Sequence, residues 1–154
     1  MPVQDIAPPV VQLGSEGDVI EFGGSRIIFK SPAAGAPGAW TVVDYTMSAS
    51  QPGPPLHYHQ DMTESFYVIS GELWMRVGDR EFTAGPGSLA FVPPGTLHAF
   101  ANRSGEPVRF LGHASKPGLK ELISEAVELA RAGQWPPDRE TLADIGRRHD
   151  TYYL

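Results

Sequence analysis

The sequence predicts an all-β domain, a sandwich or barrel, that finishes in one or two helices. Three observations carry this expectation. Short β-branched and aromatic runs recur at close spacing from residue 19 to residue 111. The 154 residues include 17 glycines and 15 prolines, which supply many short turns. After His113 the apolar spacing changes from that of a strand to that of a helix.

Residues 1–17 are proline-rich and read as an extended arm. Strand-like runs follow at 19–22 and 26–30, then a loop, SPAAGAPGA, at 31–39, and a longer run at 40–47. Residues 51–55 form a proline/glycine turn. Further runs lie at 64–69, 73–77, 80–83, 88–92, 97–101 and 108–111. Gly78-Asp79 between two of them marks a tight hairpin. Residues 18–113 therefore read as the β-domain and 114–154 as a helical segment. Leu119, Leu122, Ile123, Ala126, Val127 and Ala130 share one helical face, and Gly133 is a natural stop. A second short helix is expected over 138–148. These helices are expected to pack on the β-core, over a face, a mouth or a dimer partner, with no required role in a site.

The overall balance removes several classes of function. A net charge of −6 and a pI near 5.3 argue against nucleic acid, which needs clustered Lys and Arg. The arm has no Lys or Arg, and no helix-turn-helix precedes the β-domain. Nothing predicts membrane binding, and no run approaches spanning length. With no cysteine, disulfides, thiol catalysis and cysteine-bound zinc are excluded. The N-terminus lacks the pattern of a signal peptide, so the expected location is cytoplasmic.

The stretch HYHQDMTE, residues 57–64, carries the chemistry. Alternate side chains of a strand share a face, so His57 and His59 can reach one ion. Glu64, after a short turn, could close on it from another direction. Such nitrogen and oxygen donors suit iron, manganese, nickel, cobalt or zinc. A polar turn rich in histidine is an equal reading of this stretch alone.

Two spaced motifs decide between these readings. His57, His59, Glu64 and Gly71 follow H-x-H-x4-E-x6-G, and Gly87, Pro93, Gly95, His98 and Asn102 follow G-x5-P-x-G-x2-H-x3-N. Together they resemble the paired motifs of the cupin superfamily. One position departs: the family commonly has a glycine six residues before the first histidine, where this chain has Gln51, with Gly53 nearby. The resemblance implies a double-stranded β-helix, or jelly-roll, barrel. It also implies that His57, His59, Glu64 and His98 bind one divalent transition metal per chain, and that two chains pair as a homodimer. An exposed sheet edge gives pairing a physical motive. Strand parity from Glu64 and His98 points Phe66 and Phe100 inward, and Tyr45 and Met47 join them as candidate lining of an apolar pocket. Such a lining favours an aromatic or hydrophobic small molecule. His113 and His149 are read as structural, the latter at the basic end of the last helix.

A barrel does not fix a reaction. The ligand set and C-terminal helices look like those of small bacterial cupins similar to quercetin dioxygenase. That resemblance implies dioxygenase chemistry on a flavonol-like enol, with Glu64 both ligand and proton acceptor. A polyketide cyclase or isomerase using the metal as Lewis acid is the non-redox alternative. A small-ligand-binding protein without turnover is the third, and a sugar epimerase is a weaker fourth.

Overall fold

The computed structural model describes residues 9–30 and 40–154. The expected loop at 31–39 and the first eight residues of the expected arm lie outside them. Residues 9–17 hold neither helix nor strand, and Lys30 ties them to the core by donating to the carbonyls of Leu13 and Glu16 at 2.9 and 3.0 Å.

Eleven strands and two helices follow in the described residues. One antiparallel sheet contains β1 (Asp18–Phe22), β2 (Ser25–Lys30), β3 (Thr41–Met47), β5 (Glu64–Ser70), β8 (Leu89–Val92) and β10 (Val108–Ala114). Its order is β1-β2-β3-β10-β5-β8. The other sheet contains β4 (His57–His59), β6 (Leu73–Val77), β7 (Arg80–Ala84), β9 (His98–Ala101) and β11 (Thr151–Tyr153), in the order β11-β4-β9-β6-β7. The two sheets face each other as a jelly roll. They remain separate ladders rather than one closed barrel, which refines the sequence expectation.

The inward faces show the alternation that β-sheets require. Met47, Phe66, Val68, Leu73, Met75, Val92, Val108 and Phe110 form one buried cluster between the sheets. Ile27, Phe29 and Val43 form a second, against which Leu119 and Ile123 of α1 (Leu119–Arg131) pack. The apolar stripe of α1 thus covers the β1–β3 end of the larger sheet. Asp138 caps α2 (Arg139–Arg148) by accepting from the Thr141 amide at 2.9 Å.

The displaced motif glycine finds its explanation here. Gly53 has φ of 69°, and a Cβ placed on it would sit 1.9 Å from the Phe100 carbonyl oxygen. Only glycine lets the chain pass β9 this closely. Gln51 uses its backbone instead, accepting from the Asn102 amide at 2.9 Å. The entry turn is shifted by two residues, and β4 still delivers its histidines inward. A further link joins the two motifs: the Gly95 amide donates to the His59 carbonyl at 2.7 Å.

The last strand was not expected. The chain leaves α2, turns at Asp150 with φ of 55°, and adds β11 to the free edge of β4. Among the described residues, no helix is long and apolar enough to cross a membrane.

Candidate metal centre

The structure brings His57, His59, Glu64 and His98 together. One ligand-capable atom from each lies within 4.8 Å of all the others. His57 and His59 share the inward face of β4, Glu64 opens β5, and His98 opens β9. The register sets His57 opposite His98 across the β4–β9 pair. All four side chains are buried, and His98 is fully enclosed.

Each imidazole has its Nδ1 against a backbone carbonyl. His57 Nδ1 meets the Pro55 carbonyl at 2.7 Å, His98 Nδ1 that of Thr96 at 2.9 Å, and His59 Nδ1 that of Asp150 at 3.0 Å. A carbonyl only accepts, so Nδ1 carries the proton and donates in each case. The three Nε2 atoms are therefore the ones aimed inward. This second layer of hydrogen bonds is what a metal-binding histidine needs to hold its tautomer and ring plane.

The electrostatics fit a cation. Burial first, and then the neighbouring His98, hold the His57 pKa down to about 3, so its imidazole is neutral with a free lone pair. Burial alone would raise the Glu64 carboxyl. The Nε2 atoms of His59 and His98, 3.0 and 2.8 Å from its carboxylate and donating to it only where the ring carries a second proton, outweigh burial and bring the group to about 2. Burial lowers His59 in the same way, and the Glu64 carboxylate overcomes it and raises it. Three imidazoles and one buried carboxylate make a mixed nitrogen and oxygen donor set suited to a divalent transition ion. The four side chains could hold one metal.

The family profile for the cupin domain matches residues 43–112. The chain is a member of the cupin superfamily. This cupin is 30% identical over 98 residues to the quercetin 2,3-dioxygenase of Bacillus subtilis strain 168, an alignment covering 62% of this chain and 28% of the relative. The chain thus spans well under two thirds of that relative's length. Among solved structures it is similar to a sugar phosphate isomerase from the cupin superfamily of Silicibacter pomeroyi, at 25% identity and a TM-score of 0.54, over 62% of this chain and 61% of that one. An RmlC-like cupin from Shewanella frigidimarina shares the fold at 17% identity and a TM-score of 0.60, covering 74% of this chain and 96% of that one.

The four aromatic and sulfur residues expected to line a pocket, Tyr45, Met47, Phe66 and Phe100, pack in the core between the sheets instead, and none of them lines the cleft at Glu64. Met47 and Phe66 are buried in the main cluster, with Tyr45 and Phe100 against it. Phe66 touches the site most directly, its ring centroid 6.3 Å from that of His98. A cleft of about 230 Å³ lies at the end of β5 where it meets β8 and β10, lined by Trp40, Thr63, Glu64 and the outward-facing Ser65, Phe91 and His113, so it opens on the outer face of the larger sheet rather than between the sheets. His113 lies on the outer face of β10, with Nδ1 3.3 Å from the Ser65 hydroxyl, so it is outside the cluster of four. His149 ends α2 and meets Glu125 at 2.8 Å.

Sequence reasoning missed the C-terminal contribution. Tyr153 pairs with His57 across β11 and β4, its ring 5.7 Å away. Burial first, then the nearby Glu64 charge, push its phenol up to about 12. The only signal in the sequence was the run TYY, too short to read as a strand.

Proposed function

We propose that this cupin is a metal-dependent dioxygenase of an aromatic or enol small molecule. His57, His59, Glu64 and His98 would hold one iron, manganese, nickel, cobalt or zinc ion. The observation that carries the reading is the convergence of these four buried side chains within 4.8 Å. The likeness to quercetin 2,3-dioxygenase over 62% of the chain supports the choice of reaction. When bound, such a metal supplies a Lewis-acid centre for an oxygen ligand. Glu64, ionised at neutral pH, would take a proton from an acidic substrate hydroxyl.

The test is oxygen uptake by metal-loaded protein with flavonols and related enols. Consumption of oxygen together with substrate is the expected result. Turnover under strict anaerobiosis refutes the dioxygenase and favours the non-redox reading. That second reading has its own support in the likeness to the sugar phosphate isomerase.

The expected homodimer also enters here as a proposal. Tyr67, Ile69, Leu89 and Phe91 leave an apolar outer face on β5 and the edge strand β8. Light scattering should give twice the chain mass, and Phe91→Asp should halve it.

A further inference from the structure

We propose that β11 belongs to the metal centre, with Asp150 and Thr151 as positioning residues that hold His59 in its ligating orientation. The proposal rests on the reading of His57, His59, Glu64 and His98 as ligands.

Asp150 acts twice. Its carbonyl accepts from His59 Nδ1 at 3.0 Å. Its carboxylate accepts from the amides of Gln60, Asp61 and Met62 at 3.0, 3.0 and 2.8 Å. Those amides form the turn that carries the chain from His59 to Glu64. One residue therefore fixes both the ring of one ligand and the path to the next. The backbone at Asp150 is left-handed, at φ of 55°, and this turns carbonyl and carboxylate toward β4 together.

Thr151 completes the hold. It is fully buried and pairs in register with His59. Its hydroxyl lies 3.2 Å from His59 Nδ1 and donates to the His149 carbonyl at 3.1 Å. The hydroxyl oxygen is thereby left to accept from the imidazole.

The helices then have a task beyond covering the core. Arg148 and His149, at the end of α2, both meet Glu125 of α1 at 2.8 Å. This pins the point from which β11 departs. Gly146 lets α2 lie directly on that strand, since a Cβ there would come within 2.3 Å of the Thr151 carbonyl oxygen. Tyr58 and Tyr152 stack on the opposite face at 5.1 Å.

The experiment measures cobalt(II) affinity by chelator competition on the full chain, with circular dichroism of the metal-free protein alongside. Loss of a group that orients a ligand typically lowers metal affinity about 10–100-fold. Asp150→Ala should fall in that range, and Asp150→Asn, which keeps one acceptor oxygen, between it and wild type. Thr151→Val conserves shape at a buried position and should weaken binding several-fold with an unchanged fold. Gly146→Val, which touches no ligand, should weaken it by displacing the strand. Wild-type affinity in folded Asp150→Ala and Thr151→Val overturns the proposal. Should Asp150→Ala fail to fold, Thr151→Val decides alone. Failure of the wild type to bind cobalt or any other divalent transition metal overturns the ligand assignment itself, and the proposal with it.

Discussion

His57 and His98 are oriented from within their own turns, whereas His59 is oriented from the far end of the chain. The first two donate to carbonyls two residues earlier, those of Pro55 and Thr96. His59 donates to a carbonyl 91 residues later. The lesson is that one cluster of ligands can combine two kinds of support. Local support forms wherever the turn forms. Remote support exists only once α1, α2 and β11 are docked.

The largest expected effect falls on the ligands, where the two kinds of support should not differ. His57→Ala and His59→Ala should each abolish stoichiometric metal binding, measured by elemental mass spectrometry. A large difference between them would mean that the four side chains do not act as one site.

Gly53→Ala probes the local turn. It places a Cβ 1.9 Å from the Phe100 carbonyl oxygen at a residue with φ of 69°. A loss of roughly 2–4 kcal/mol is expected in denaturant unfolding, because backbone and sterics are both violated. Near-wild-type stability would show that the passage between β4 and β9 relaxes easily.

Pro55→Ala and Thr96→Ala sharpen the contrast. Both keep the backbone carbonyls that His57 and His98 use. Metal affinity should stay within about threefold of wild type, against the larger losses expected for the remote pair at Asp150 and Thr151. Pro55→Ala should lower stability by about 0.4–1 kcal/mol through the unfolded chain. A tenfold loss of affinity in either variant would end the distinction.

The smallest effect concerns pH and the anchor of the tail. A hydrogen bond from His149 leads the interactions that hold the Glu125 carboxyl below its ordinary value, with Arg148 adding to it. A depressed carboxyl stabilises the fold fully above its unfolded pKa and loses that contribution as pH falls through the folded one. Glu125→Gln should therefore lower the melting temperature of the metal-free protein at pH 7, and by less at pH 3. The loss should be under about 1 kcal/mol, since the pair is partly exposed. An equal shift at both pH values would remove the ion pair as its cause.

Much of the site was legible because its spacing is a strand property. His57 and His59 alternate onto one face, and each motif is short enough to be read without knowing its neighbours. The entry turn was legible in part. Gln51 stood where the family has glycine, and only the pass of Gly53 beneath Phe100 explains the shift. The aromatic residues were readable as inward-facing, but whether they bound a cavity or fill a core depends on the opposite sheet. For Met47 and Phe66 the facing strands fill it. The tail was not legible at all, since TYY lacks the length to announce a strand.

By itself the sequence determined the β-rich core and the helices, because these follow from period and turn chemistry, and its motif spacing, through the resemblance it carries, pointed to the superfamily and to the four residues that converge. The tertiary structure alone decided that the sheets stay separate ladders, that His113 faces outward and that Asp150 and Thr151 reach His59. Each of those depends on which distant strands pair and in what register. Local sequence holds no record of a partner 91 residues away.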